Sequence, residues 1–219
     1  MKILALEFSS GRRSVAVTEA NSGKAVIAGV SDESGNAQTK PFALIESALN
    51  QARWSRSDID CVAVGLGPGS YTGIRVAISI AQGWQLAREV KLLGISTVEC
   101  LAFQEISGGR VGRINIAIDA HRNEFYLASG GADISPRQFA ESLQLVSAEE
   151  VERLFAAGQT VLGPDLQSRF PKAEQIWPEA SALAQLAAGR SDFVGGEQLE
   201  PIYLRPTSFI KAPPSRLVL

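Results

Sequence analysis

The sequence predicts an α/β fold in two related lobes, and three observations carry that prediction. Short apolar runs at residues 3–8, 61–64, 91–95 and 114–119 alternate with stretches of helical period, as strands covered by helices do. An apolar strand ending in an acid, a short turn containing arginine and a second strand occur twice, from residues 3 and 114, which points to an internal duplication. The strand at 61–64 also runs into Gly65-Leu66-Gly67-Pro68-Gly69-Ser70-Tyr71-Thr72-Gly73-Ile74-Arg75, a glycine-rich corner that leads from strand to helix.

Taken in order, residues 3–8 and 14–18 read as paired strands joined by Ser9-Ser10-Gly11-Arg12-Arg13. Asn21-Ser22-Gly23 turns the chain into a third strand at 24–30, and the polar residues 31–40 read as a surface loop. Pro41 opens a helix with Phe42, Leu44, Ile45, Ala48, Leu49 and Ala52 on one side. After the corner, Thr72 is the expected N-cap of a helix reaching residue 89. A strand at 91–95 follows, then a helix capped by Ser96 or Thr97 that ends near Ile106. Ser107-Gly108-Gly109-Arg110 reads as the linker between lobes, which places one lobe at residues 1–106 and the other at 107–219. In the second lobe, Ser147-Ala148-Glu149-Glu150 fits a capping box for a helix at 148–157. A strand at 160–163 and a helix at 180–188 stopped by Gly189 complete the pattern.

Composition excludes several roles. The 219 residues are 45% hydrophobic with a formal net charge of -2, so a core is affordable and no basic field attracts nucleic acid directly. Contact with RNA would therefore run through a partner. Two isolated cysteines, Cys61 and Cys100, and the absence of a leader-like or membrane-spanning run point to a cytoplasmic protein.

The motifs argue against chemistry. A phosphate loop ends in Gly-Lys followed by a hydroxyl residue, whereas this corner ends in Thr72-Gly73-Ile74-Arg75. The dinucleotide fingerprint fails as well, because Gly73 falls one residue too late after Gly67 and Gly69. Gly67, Pro68, Gly69, Thr72 and Gly73 read instead as a structural turn. A Ser70, His121 and Asp119 triad is formally available, but His121 is more simply a turn residue, and neither a zinc-protease helix nor a nucleophile elbow is present. Glu7 and Asp119 end equivalent strands, so an interlobe cleft with both acids around Mg²⁺ is one expectation; acids satisfied by local N–H groups is the other.

The helix after the corner gives the strongest lead. Ile74, Val76, Ala77, Ile78, Ile80, Ala81, Trp84 and Ala87 cover an arc of roughly 200°, against the roughly 100° that a helix needs for its own core. The surplus belongs in a large core or against another chain. Paired with the helix from Pro41, it would form a partner or dimer surface through Phe42, Ile45, Leu49, Ile74, Ala77, Ile78, Ala81 and Trp84. On that reading Ala81→Arg blocks docking and leaves the chain folded.

Ile3-Leu4-Ala5-Leu6-Glu7 and the whole corner from Gly65 to Arg75 closely resemble the bacterial TsaB (YeaZ) family. Ala81-Gln82-Gly83, Gly94-Ile95-Ser96-Thr97, the stretch Ile118-Asp119-Ala120-His121-Arg122-Asn123-Glu124-Phe125-Tyr126 and Glu200-Pro201-Ile202-Tyr203-Leu204-Arg205 continue the resemblance. It implies an actin-like (ASKHA, RNase H-like) fold with a mixed sheet and flanking helices in each lobe. It also implies a non-catalytic subunit of the machinery that makes tRNA threonylcarbamoyladenosine, neither a transferase by itself nor a peptidase. The implied partners are the catalytic subunit TsaD and the ATPase TsaE, with homodimers in isolation and tRNA reached only through the complex. No intrinsic cofactor or metal is implied, and ATP or ADP would enter only in the complex. Two stretches depart from the pattern: Glu7-Phe8-Ser9-Ser10 replaces an Asp-Thr start, and Asn36-Ala37-Gln38-Thr39 lacks the histidine often found there. The competing expectation is a small ATP-Mg²⁺-dependent phosphotransferase or nucleotide-binding protein of the same fold.

Overall fold

The structure is a computed structural model and describes residues 1–21, 23–34 and 40–204. The Asn36–Thr39 stretch and residues 205–219, including Arg205 of the last family-like motif, lie outside the described residues.

β1 (Lys2–Glu7) is apolar from Ile3 to Leu6 and fully buried there, which makes it the centre of the first sheet. β2 (Arg12–Asn21) and β3 (Lys24–Ser34) extend the sheet antiparallel on one side. β4 (Cys61–Gly65) and β5 (Lys91–Ile95) extend it parallel on the other, in the order β3-β2-β1-β4-β5. β3 runs four residues beyond the expected strand, because Arg12 to Ser14 of β2 pair with Ser34 to Asp32 and draw part of the polar stretch into the ladder.

β6 (Arg113–Asp119), β7 (Glu124–Gly131), β8 (Gln144–Ser147), β9 (Val161–Gly163) and β10 (Glu174–Gln175) repeat the plan in the order β10-β9-β6-β7-β8. Again three strands are antiparallel and two parallel, with the acid-ended strand central. Two mixed sheets of one topology, each flanked by helices, make this an actin-like α/β fold. β8 and β10 were not legible in the sequence pattern. The two-residue β10 is held by β9 and the four-residue β8 by β7, so pairing defines them more than their own sequence.

α1 (Pro41–Ala52) begins with proline in its first turn and ends at Arg53 in the left-handed region. α2 (Tyr71–Arg88) starts one residue before the expected cap. Ser70, not Thr72, is the N-cap, and its Oγ accepts the Gly73 N–H at 3.3 Å. α3 (Thr97–Ser107) is capped by Ser96, whose Oγ accepts the Val98 N–H at 3.2 Å. α4 (Pro136–Glu141), a short helix absent from the sequence reading, has a capping box between Ser135 and Gln138. α5 (Ala148–Ala156) forms where expected without the expected box, since the Ser147 side chain caps no backbone N–H and bonds the Glu149 side chain.

α1 and α2 cover one face of the first sheet, with Leu6, Val64, Ile45, Leu49, Ile74 and Ala77 in a common core. α6 (Ala180–Ala188) crosses back from the second sheet to cover the other face, packing on β1, β2 and β3. Ala182, Leu183 and Ala187 meet Ile3, Ala5 and Ala16 there, and the Ala180 N–H donates to Ser14 Oγ at 2.8 Å. α3 serves both lobes: Cys100 joins that core, while Val98 and Leu101 join Ile116 and Tyr126 of the second sheet. α5 covers the remaining face of the second sheet through Val151. No helix among the described residues is long and apolar enough to cross a membrane.

Candidate functional site

The glycine-rich corner is wedged against the end of β1. A Cβ on Gly69 would lie 2.0 Å from the Ser9 carbonyl oxygen, and one on Gly73 would lie 1.9 Å from that of Phe8. The Ser70 N–H donates to the Ser9 carbonyl at 2.7 Å, so the turn after β1 occupies an N–H at the start of α2 that an anion could otherwise use. Gly67 and Pro68 are buried, and the Gly67 carbonyl accepts the Thr97 N–H at 2.8 Å. The Ile202 N–H donates to the Leu66 carbonyl at 2.9 Å, which lays the segment after Leu199 along the corner.

An interlobe cleft of about 400 Å³ lies beside the corner, lined by Ser9, Gly11, Thr72, Asp119, His121 and Asp165 among others. Asp119 is exposed there, and its Oδ1 accepts the His121 N–H at 2.7 Å. Glu7 is elsewhere. It is fully buried under the first turn, where Oε1 accepts the Ser9 N–H at 2.8 Å and Oε2 has no hydrogen-bond partner among the described residues. Each acid accepts the N–H two residues on, as the second expectation had it, and the two are not paired across the cleft, because Glu7 is fully buried and does not line it. Gly65 makes room for Glu7, since a Cβ there would lie 2.1 Å from Glu7 Oε2. Among the described residues no three His, Cys, Asp or Glu side chains converge as a metal site.

Burial pushes the Glu7 carboxyl up from 4.5 to about 6, against the opposing hydrogen bonds from Ser9. Between those values the folded chain holds more protons than the unfolded chain. Stability therefore falls as pH rises through that window, and the cost is complete above it. Glu7→Gln keeps an acceptor for Ser9 and removes the buried charge. It should stabilise the chain by about 2 kcal/mol at pH 8 and by little at pH 4.5, read from urea denaturation at both values. An equal effect at both would show that Glu7 does not titrate in this range.

The larger hollow is an apolar groove of about 710 Å³ between the outer sides of α1 and α2. Phe42, 56% exposed, forms its α1 wall, while Val76, Ile80, Gly83, Trp84 and Ala87 run along α2. Of the eight sequence-predicted docking residues, only Phe42 and Trp84 line it. Ile45, Leu49, Ile74, Ala77 and Ala81 are at most 1% exposed and Ile78 is 5% exposed, all in the chain's own core. The roughly 200° arc is thus divided, with its inner part spent on β1 and β4 and its outer edge open. Trp84 sits on the boundary, buried, with no acceptor for its indole N–H among the described residues.

Three arginines stand around this groove and were not singled out by the sequence. Arg75 lies over the Tyr71 ring at 3.5 Å from its centroid, and Tyr71 stacks on Tyr203 at 5.8 Å. Arg56 is paired with Glu46 at 2.6 Å, and Arg88 donates to the Ser57 carbonyl at 3.2 Å. Tyr71 and Thr72 line both hollows, so the start of α2 is the ridge between groove and cleft.

Residues 38–172 match the family model described as TsaD, tRNA N6-adenosine threonylcarbamoyltransferase. The chain is 31% identical over 183 residues to the tRNA threonylcarbamoyladenosine biosynthesis protein TsaB of Escherichia coli K12, covering 74% of this chain and 78% of that one. It is 26% identical to the Haemophilus influenzae protein of the same name, over 79% of this chain and 81% of that one. Among solved structures it is similar to YeaZ from Pseudomonas aeruginosa, at a TM-score of 0.69 and 25% identity over 93% of this chain and 99% of that chain. A second Pseudomonas aeruginosa structure, of an uncharacterized protein with similarity to peptidase YeaZ, aligns at a TM-score of 0.72 and 26% identity over the same shares.

Proposed function

Since the chain belongs to the TsaB (YeaZ) family and, through residues 38–172, to the wider TsaD family, we propose that it is a non-catalytic subunit for tRNA threonylcarbamoyladenosine synthesis. Its work on this reading is to dock and support the catalytic subunit TsaD, with TsaE joining the pair and tRNA reached only through the complex. In isolation the same surface joins two copies of the chain.

The observation that carries the reading is the groove between α1 and α2. It combines an exposed phenylalanine, a stripe of apolar and small residues on one helix, and a floor already packed into the core. A rigid floor under an open apolar stripe suits a helix pair from another chain. The use of the corner's backbone by Ser9, and the burial of Glu7, support a chain that does no phosphoryl chemistry by itself. ATP or ADP would then be held only where the partners meet.

Affinity capture of the tagged chain from cells that also produce the cognate TsaD tests this. TsaD is expected in stoichiometric amount, and its absence would overturn the docking role. Calorimetry of the isolated chain with ATP-Mg²⁺ should show no heat of binding at about millimolar nucleotide, corresponding to less than about 4 kcal/mol of affinity. Saturable binding below that concentration would favour the phosphotransferase reading instead.

A further inference from the structure

The charges around the groove are one-sided. Its lining includes Arg56, Arg75 and Arg88 and no carboxylate. Glu46 neutralises Arg56, with 2.6 Å between them. Arg75 and Arg88 have no carboxylate partner among the described residues: the first rests on tyrosine rings and the second on a backbone carbonyl. α2 itself carries no acid anywhere between Tyr71 and Arg88. These two guanidinium groups, without an ion pair among the described residues, stand near opposite ends of the helix, about 20 Å apart along its axis, and the acids nearest Arg88, Asp60 and Glu89, line the neighbouring hollow and not the groove.

We propose that Arg75 and Arg88 choose the occupant of the groove by charge, so that the site takes an apolar helical face flanked by carboxylates in preference to a second copy of this chain. The proposal rests on the docking reading above and adds the chemistry of the partner. A second copy brings the same two arginines to an interface that already holds two, and like charges brought together at an interface oppose association. A partner with Asp or Glu at a matching separation along its helix turns both repulsions into charge-assisted pairs, and guanidinium is suited to meet a carboxylate with two hydrogen bonds. By composition the chain's own residues 205–219 fit poorly as well, since they carry Arg205, Lys211 and Arg216 and no acid.

Salt separates the two kinds of association, because it screens attraction and repulsion alike. Sedimentation velocity of the isolated chain and calorimetry with purified TsaD are to be run from about 50 to about 500 mM NaCl. Binding to TsaD is expected to weaken about ten-fold or more, while self-association strengthens about three-fold. Arg75→Glu and Arg88→Glu, made separately and checked by thermal melting, should each weaken TsaD binding about ten-fold or more. The double variant should pair with the unaltered chain more tightly than either does with itself. The charge proposal is overturned if self-association and TsaD binding weaken together with salt, or if folded variants at both positions keep TsaD affinity within about two-fold. Gly83→Arg serves as the separate control. If it leaves both associations intact, the groove is not the docking site, and the failure is of the docking reading itself.

Discussion

Gly83→Arg is expected to leave the chain folded and to abolish its association with TsaD. Gly83 is exposed in the middle of α2, and a Cβ built there meets nothing within 4 Å. Any side chain relieves the backbone entropy cost of a helical glycine, so stability should hold or rise by up to about 1 kcal/mol. The added guanidinium stem projects into the apolar stripe between Ile80 and Ala87, where a docked helix must lie. The loss should be about 2 to 4 kcal/mol of binding, or about 30- to 1000-fold in affinity, measurable by calorimetry beside a melting curve. Ala81→Arg, which the sequence offers as the blocking change, does something different. Ala81 is fully buried against the first sheet, so an arginine there forces a charge into the core at about 4 kcal/mol or more. It would remove the partner by removing the fold.

Gly69→Ala should be among the most damaging single-methyl changes in the molecule. The residue has a φ of 150°, and its added Cβ would sit 2.0 Å from the Ser9 carbonyl oxygen, a rigid backbone atom. Either the corner or the end of β1 must shift, and both belong to the central contact of the first lobe. A loss of about 3 kcal/mol or more follows from overpacking with backbone strain. Gly158→Ala is the comparison for a positive-φ glycine without a close contact. Gly158 has a φ of 71° but nothing within 4 Å of its Cβ position, so only backbone strain remains, at about 1 kcal/mol. Equal losses at both positions in urea unfolding would mean that the contact with Ser9 is not what makes Gly69 necessary.

The fold was legible where period and punctuation were strong. The two acid-ended strands, Pro41, the corner and the long helix after it all stand in the sequence as they stand in the structure. The groove was legible only as an excess. Ile74, Ala77 and Ala81 are as apolar as Val76, Ile80 and Ala87, and a helical wheel records how wide an arc is without recording which edge the sheet takes. The sheet takes the first set because β1 and β4 lie beneath it, with Ile80 and Val76 at the edge of the same core and Ala87 outside it, and that is a tertiary fact. The sequence left two readings of Glu7 and Asp119, and both acids accept from a local N–H, while the full burial of Glu7 is set by tertiary packing that a strand end does not reveal. The corner's glycines announced a close approach without naming what approaches, which proves to be the backbone of Phe8 and Ser9.

The return of α6 to the first sheet bears on the order in which the molecule can be made. Ile3, Ala5, Ala16 and Ala63 leave the ribosome long before the helix that they are buried against, which begins at Ala180. During synthesis the first sheet can gain α1 and α2 on one face long before the other face is covered. A nascent chain of this protein therefore carries an open apolar sheet face until α6 has been made, the kind of surface that chaperones hold and that aggregates form on. The groove side can be finished before α6 is made, so a ribosome-stalled chain ending before Ala180 should present the groove on a lobe that is still incomplete behind it.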